Sequence, residues 1–279
     1  IICLGIQLKP FEFLKFGTIA IPLIIVCIIS VLIVIKLLIK KLRISTKMAY
    51  LISIGSTVCG TTAIMATAPV IKASKGEVAY AIANMTIFGI ISMLIYPYFA
   101  NIYFNGEPLF VGLFLGTAIH ETSQVAAAGL IYDQQYNSPE TLNIATVTKL
   151  IRNTFLVIMI PLFAFLYNRG KTKNKSYSLL DIFPYFVLGF IGMIIFRNIG
   201  DQIFLTENVQ QFWQSSISNI KDSAKIFLSM AMAAVGLSTN LKDLRSMGYK
   251  PFIVGFVAMI TVGLVSILTM ESFAKFFFY

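Results

Sequence analysis

The sequence predicts an all-α polytopic membrane protein with a single transmembrane domain covering residues 1–279. Hydrophobic residues make up 57% of the chain, charged residues make up only 12%, and the mean hydropathy is +0.83. Soluble domains are typically less apolar and carry about 25% charged residues. Apolar runs recur at about 20 residues, which is the length of a helix that crosses a bilayer. These three observations favour helices that use the membrane as their solvent.

The chain carries about nine spans or partial spans. The first apolar run is under half a bilayer long at about 1.5 Å per residue, so further helices are expected before it. Polar stretches predict loops at Tyr132–Glu140 and between Phe196 and Ser223. In chain order the predicted spans are Ile1–Leu8, Gly17–Ile39, Met48–Ser74, Val78–Tyr103, Leu109–Gly129, Thr141–Tyr167, Ile182–Phe196, Ser223–Leu237 and Phe252–Leu268.

The formal net charge of +10 comes from basic residues in short connections between the spans. If every span is a full crossing, the loops after Ile39, Tyr167 and Leu237 share one side, while Lys72 and Lys75 lie on the other. An excess of Lys and Arg marks the cytoplasmic side, so topology explains the charge without a nucleic-acid partner. The three cysteines lie in or beside apolar runs without metal-ligand or disulfide spacing, and no cofactor or metal is expected.

Two of the predicted spans have polar centres. Gly55–Ala63 consists mostly of glycine, hydroxyl and small residues, and the centre of Leu109–Gly129 carries His120, Glu121 and Gln124. An ionisable residue in a span costs roughly 2.5 kcal/mol or more unless it faces a cavity or a partner. Unwound backbone at membrane depth is tolerated only where it is buried in protein or lines a cavity. Both segments are therefore predicted to be discontinuous helices.

These two segments also resemble each other. Residues 54–68 align without gaps with residues 115–129, so that Cys59 and Gly60 correspond to His120 and Glu121. A second pairing matches Gly5, Glu12 and Gly17 with Gly236, Asp243 and Gly248. In the predicted topology the two copies of the second pairing enter the membrane from opposite sides, as in an inverted-repeat transporter. One span separates the first pair, however, so the two copies run parallel unless one is re-entrant. Shared small-residue packing between helices is the alternative.

Lys149 and Arg152 lie three residues apart on one helix face, roughly 12–17 Å into their span. We expect them to cluster with His120 and Glu121, with Glu121 neutralising one cation and the other binding an oxyanion. His120 or Glu121 could take up a proton during transport. A buried histidine is also often only structural. Further ligand candidates, which could equally be interhelical contacts, are Thr61, Thr62, Ser123 and Gln124.

The motifs GTAIHETSQVAAAG, CGTTAIMATAPVIKA, ATVTKLIRN and AMAAVGLSTNLKDLR resemble those of the YeiH-type bacterial inner-membrane proteins described as sulfate exporters. The resemblance covers essentially the whole chain. It implies a multi-pass protein of the bacterial plasma membrane, grouped with cation:proton antiporter and bile-acid-symporter-like transporters that contain crossed discontinuous helices. The family motif positions are matched here by Cys59, Gly60, His120, Glu121, Gln124, Lys149 and Arg152. The family's additional N-terminal spans are absent from this chain.

The leading hypothesis is a secondary active transporter that exports a small anion, sulfate or a related sulfur oxyanion, coupled to H⁺ or Na⁺. The alternatives are an anion channel and an intramembrane enzyme that uses His120, Glu121 and Cys59. A second histidine for a metal triad is missing, so no enzyme is expected. Apart from the substrate and coupling ion, the expected partner is the lipid bilayer, and a homodimer is left open.

Overall fold

The computed structural model describes residue 6 and residues 10–169, 186–204, 207–237 and 248–277. These residues form helices and short connections, with no strand among them. The helices are α1 (Pro10–Leu42), α2 (Thr46–Thr57), α3 (Thr61–Thr67), α4 (Lys75–Tyr103), α5 (Pro108–Ala118), α6 (Thr122–Tyr136), α7 (Pro139–Thr154), α8 (Leu156–Arg169), α9 (Phe186–Ile203), α10 (Glu207–Leu237) and α11 (Lys250–Phe277).

Four stretches within the described ranges are long and apolar enough to cross a membrane. Their length and composition confirm an all-helical multi-pass architecture. They are Phe16–Leu42, Lys75–Tyr103, Pro139–Tyr167, which comprises α7 and α8, and Lys250–Ser272. The predicted total of nine spans or partial spans is not confirmed by these residues.

The segment predicted as the span Met48–Ser74 is instead a helical hairpin, which we call hairpin 1 (α2 and α3). The residues at the start of α2 and those that follow α3 lie in contact with each other. Lys47 Nζ donates to the Lys72 carbonyl at 2.5 Å, and Ser45 Oγ donates to Glu77 Oε1 at 2.9 Å. Hairpin 1 therefore enters and leaves at one end of the bundle, and the expectation of a full crossing is wrong. Twelve-residue and seven-residue helices are each too short to cross a bilayer.

The segment that contains His120 is a second hairpin, hairpin 2 (α5 and α6), at the opposite end of α4. It begins directly after α4, and its returning helix comes back to the same place, because Tyr132 Oη donates to Asn101 Oδ1 at 2.9 Å. The predicted loop Tyr132–Glu140 is shorter than expected, since α6 continues to Tyr136. With α4 between them, the two hairpins enter the bundle from opposite ends.

The two ends of the bundle differ in charge. Because hairpin 1 turns back, Lys72 and Lys75 lie on the same side as Arg43 and Lys47, which corrects the predicted assignment of these two lysines. We call this the basic end; its cations include Lys40, Lys41, Arg43, Lys47, Lys72, Lys75 and Lys250. The other end, the acidic end, carries Glu107, Asp133, Glu140 and Glu271. By the positive-inside rule, the basic end is the expected cytoplasmic side.

Helices α1, α4, α7 and α11 surround the hairpins, and one continuous apolar core joins them. Close contact between α5 and α7 depends on two glycines. A Cβ at Gly112 would lie 2.7 Å from Ile144, and one at Gly116 would lie 2.6 Å from the Ala145 carbonyl. Small residues at such contacts let helix backbones approach closely. This packing brings the C-terminal half of α7 to the tips of both hairpins.

Helices α9 and α10 form a smaller cluster around Trp213. The predicted polar loop between Phe196 and Ser223 is wrong, because α9 continues to Ile203 and α10 begins at Glu207. Arg197 Nε donates to Asp201 Oδ2 at 2.7 Å, and Trp213 Nε1 donates to Asp201 Oδ1 at 2.8 Å. Both carboxylate oxygens of Asp201 therefore accept a hydrogen bond from side chains of these two helices. Outside the described residues lie most of the run Ile1–Leu8, the basic loop at residues 171–175, and Gly5 and Asp243 of the second repeat pairing.

Candidate functional site

The two hairpins are interrupted at corresponding residues. Helix α2 ends at Thr57 and α3 begins at Thr61, while α5 ends at Ala118 and α6 begins at Thr122. Both the last and the first residues are therefore 61 positions apart, which is the offset of the sequence alignment. The predicted discontinuities are present in both hairpins, and residues 58–60 and 119–121 form their tips.

The tips touch each other. A Cβ added at Gly60 would lie 2.6 Å from Glu121 Cγ and 3.4 Å from the His120 carbonyl oxygen. Thr61 Oγ1 donates a short hydrogen bond to Glu121 Oε1. Gly60 has φ of +63°, a backbone conformation that favours glycine. Gly60 thus serves the turn of hairpin 1 and makes room for the Glu121 side chain of hairpin 2.

The two helices that end at the tips expose backbone carbonyls there, because the last turn of a helix has no intrahelical donors. Lys149 and Arg152 of α7 supply the donors. Lys149 Nζ donates to the carbonyls of Val58 at 3.0 Å and Ile119 at 2.9 Å, and it makes a short bond to the His120 carbonyl. Lys149 therefore links both tips.

Arg152 links the same two helix ends. Its Nε donates to the Thr57 carbonyl at 2.9 Å, and its Nη2 makes a short bond to the Ser56 carbonyl. Its Nη1 bonds to the Thr117 carbonyl and contacts the Ile119 carbonyl at 3.4 Å. Both cations are at most 2% exposed. Cations are favourable at a helix C-terminus, where the dipole amounts to about half a negative charge.

This arrangement corrects the expected ionic cluster. No ion pair joins Glu121 to Lys149 or Arg152, although all three residues are described. The predicted oxyanion contact of Arg152 is also not available in this state, because each of its donor nitrogens already faces a carbonyl. Sequence spacing placed the cations at the correct depth. It could not reveal that their partners are main-chain atoms.

Glu121 lies at the junction of the two helices that begin at the tips. It is the N-cap residue of α6, yet its side chain does not cap that helix and reaches Thr61 of α3 instead. The first N–H groups of α6, those of Thr122, Ser123 and Gln124, therefore lack a side-chain cap. Ser123 is exposed and Glu121 is half-buried. A helix N-terminus with free N–H groups attracts anions.

Two buried side chains beside this N-terminus are incompletely hydrogen-bonded. His120 is fully buried, and neither of its ring nitrogens has a partner within the described residues. Gln124 Nε2 donates to the Thr86 carbonyl at 3.4 Å, while its Oε1 has no partner there and packs against Gly89. Buried polar groups normally find partners, so these two residues provide hydrogen-bonding capacity next to the tips.

The structure brings most of the predicted site residues to one place. Gly60, Thr61, Glu121, Lys149 and Arg152 are joined by contacts at the tips, and His120 and Cys59 are tip residues that are buried. Thr62, Ser123 and Gln124 lie in the first turns of α3 and α6. Whether these residues bind substrate or an ion stays a prediction. Among the described residues, no group of three or more His, Cys, Asp or Glu side chains could hold a metal ion.

Sequence reasoning missed several participants. The carbonyls of Ser56, Thr57 and Thr117 are main-chain groups, and no side-chain pattern identifies them. Asn153 was also missed; its Nδ2 donates to Thr122 Oγ1 at 3.2 Å, which ties α7 to the first turn of α6. The position of Asn153 directly after Arg152 was the available signal.

Fold and tips together define a multi-pass membrane protein in which two helical hairpins meet under two buried cations. The family model described as "Conserved hypothetical protein 698" matches residues 1–255. A UPF0324 membrane protein of Fusobacterium nucleatum is 37% identical over 273 residues, covering 96% of this chain and 78% of that protein. The corresponding protein of Streptococcus agalactiae is 35% identical, covering 98% and 78%, and that of Clostridium tetani is 31% identical, covering 99% and 79%.

The chain therefore belongs to this family of bacterial membrane proteins, the UPF0324 family. No solved structure matches it.

Proposed function

We propose that this protein is a secondary active transporter of a small anion, with its binding site where the hairpin tips meet. The observation that carries the proposal is the convergence, inside the apolar bundle, of two interrupted helices from opposite ends on one cluster of charged groups. Interrupted helices at membrane depth are how many transporters build sites, because helix ends provide unpaired N–H and C=O groups.

The charge of the site favours an anion. Two helix C-termini contribute about −1 in total, and Lys149 and Arg152 contribute +2. Two helix N-termini contribute about +1, and an ionised Glu121 contributes −1. The sum is about +1, and protonation of Glu121 raises it to about +2. Anion binding and the uptake of a cation at Glu121, whether H⁺ or Na⁺, are therefore favourable together, and H⁺ is the proposed coupling ion.

The first turn of α6 is the proposed anion contact. Its N–H groups are uncapped and Ser123 is exposed, whereas the donors of Lys149 and Arg152 are occupied by carbonyls. Backbone N–H groups and hydroxyls suit tetrahedral oxyanions. Together with the resemblance to the YeiH-type proteins, this supports sulfate or a related sulfur oxyanion as the substrate.

Alternating access follows from the placement of the hairpins. Hairpin 1 separates the tips from the basic end, and hairpin 2 separates them from the acidic end. Movement of either hairpin exposes the site to one side only. The matched discontinuities and the opposite directions of entry support an inverted repeat built from residues 54–68 and 115–129.

Transport by a carrier, rather than flow through a channel or intramembrane catalysis, is tested by counterflow. Proteoliposomes preloaded with unlabelled sulfate are placed in trace labelled sulfate, and saturable accumulation of label is expected. A channel gives no accumulation against the preloaded pool. The same assay with thiosulfate or chloride in place of sulfate defines the substrate class.

Glu121→Gln is the informative variant, because it removes the titratable group while it keeps the shape of the side chain. We expect proton-driven uptake to fall at least tenfold. Glu107→Gln is the matched control: Glu107 lies on the same hairpin segment, is exposed and caps nothing with its side chain. Equal activity of both variants would contradict the assignment of Glu121 as the proton-coupling residue.

A further inference from the structure

A cavity lies at the base of hairpin 1, at the basic end and away from the tips. Its volume is about 430 Å³, within the range of small-molecule sites. None of its lining residues belongs to the tips, so this cavity is separate from the proposed transport site. The lining residues are Arg43, Ile44, Ser45, Met48, Ser74, Glu77, Lys250 and Pro251.

The charged side chains that line the cavity differ in whether they already have hydrogen-bond partners. Glu77 is fully engaged: it accepts from Ser45 Oγ at 2.9 Å, from the Ser74 N–H at 3.0 Å and from Ser74 Oγ at 3.1 Å. Arg43 and Lys250 are exposed, and neither side chain has a hydrogen-bond or ion-pair partner in the described part of the chain. The cavity thus offers two free cations and one carboxylate that is already satisfied.

Three helices also begin at this cavity. Ser45 is the N-cap of α2, Ser74 is the N-cap of α4, and Lys250 is the first residue of α11. Each N-terminus contributes about half a positive charge. Lys47 and Lys72, which are hydrogen-bonded to each other across the base of the hairpin, add to the positive potential. A multiply charged anion suits this site.

We propose that this cavity binds a phosphate group, either the headgroup of an anionic phospholipid or a soluble phosphate. Arg43 follows the apolar stretch Phe16–Leu42, so the cavity lies where a span leaves the hydrocarbon and meets the headgroups. A phosphate held by Arg43 and Lys250 would join the base of hairpin 1 to α11. Occupancy would therefore restrain the hairpin that separates the tips from the cytoplasm.

The test is ligand-dependent thermal stabilisation of the intact protein in detergent. One arm titrates inorganic phosphate, a second titrates phosphatidylglycerol, and a third uses phosphatidylcholine as the zwitterionic reference. We expect phosphatidylglycerol or phosphate to raise Tm in a saturable way. Each removed cation should weaken the apparent affinity about fivefold, since a basic residue near an anionic surface contributes about 1 kcal/mol.

Arg43→Gln and Lys250→Gln are the test variants, and Lys41→Gln is the matched control, with the same loss of charge at the same end but outside the cavity. Stabilisation by phosphatidylglycerol alone, with an apparent affinity that is weakened in both test variants and unchanged in the control, supports a lipid site. The same pattern with inorganic phosphate supports a soluble ligand. Equal weakening in Lys41→Gln, or no saturable stabilisation by either ligand, overturns the proposal. Arg43→Lys keeps the charge and should retain most of the affinity.

Discussion

The two hairpins share a backbone plan but differ in what their tips carry. Both are interrupted over three residues at positions 61 apart, and both end a helix against the same two cations. Hairpin 1 has Cys59 and Gly60 at its tip, whereas hairpin 2 has His120 and Glu121. The imidazole and the carboxylate therefore both belong to hairpin 2, and Gly60 of hairpin 1 provides the space that the Glu121 side chain needs. The two hairpins therefore share a backbone geometry, while the histidine and the glutamate are confined to hairpin 2.

Removal of the shared cations should have the largest effect. Arg152→Met leaves buried carbonyls of both hairpins without donors, so we expect a loss of about 3–5 kcal/mol in stability and a fall in Tm of roughly 10 °C in detergent. Lys149→Met should have a similar effect, because Lys149 also links both tips. The Tm of Arg152→Lys should lie between that of the unchanged protein and that of Arg152→Met. Lys41→Gln, an exposed cation at the end of α1, serves as the control and should leave Tm unchanged. A mild effect of Arg152→Met would mean that the hairpins do not depend on these donors.

The contact between the two unlike tips is tested by Gly60→Ala. The new Cβ overlaps Glu121 Cγ, and a positive φ is strained for alanine, so stability should fall by about 2 kcal/mol or more. Gly192→Ala is the matched control, since no atom lies within 4 Å of its Cβ and alanine favours a helix. Thermal unfolding of both variants, and of Gly60→Ala combined with Glu121→Ala, separates overlap from backbone strain. Partial recovery in the double variant is expected; no recovery would show that the tips are not in contact as described.

Asn153→Ala should have the smallest effect, because it removes one hydrogen bond that only hairpin 2 receives. The bond to Thr122 Oγ1 is partly buried, and its loss should cost about 1 kcal/mol. Asn143→Ala, at an exposed position on the same helix, is the control and should be near neutral. Equal Tm values for the two variants would remove Asn153 from the set of residues that position α6.

The sequence was sufficient to predict both interruptions and the depth of Lys149 and Arg152. Small residues at 55–63 and ionisable residues at 120–121 are costly in a membrane helix, and this cost made the breaks predictable. A re-entrant course was only one of the alternatives left open by the sequence, because residues 48–74 have the length of a full span and Pro69 and Lys72 do not by themselves show that the chain turns back. Lys72 and Lys75 were therefore assigned to the wrong side.

The hydrogen-bond acceptors of Lys149 and Arg152 could also not be predicted from the sequence. Spacing suggests that a lysine, an arginine and a glutamate at one depth will pair with one another. In the structure, interrupted helices expose carbonyls that compete for the same donors, and these carbonyls occupy Lys149 and Arg152. Glu121 is thereby left with Thr61, and this outcome depends on the three-dimensional approach of the two tips.

Cysteine labelling tests whether the two hairpins enter the bundle from opposite ends. Four variants place one thiol at an exposed position near the start or the end of a hairpin, each made singly in a cysteine-free background: Lys41→Cys, Lys75→Cys, Glu107→Cys and Gln134→Cys. A membrane-impermeant maleimide applied to intact cells should label residues 107 and 134, and residues 41 and 75 should react only after the membrane is opened. Labelling of residues 41 and 75 from different sides would contradict the re-entrant hairpin 1, and with it the meeting of the two tips.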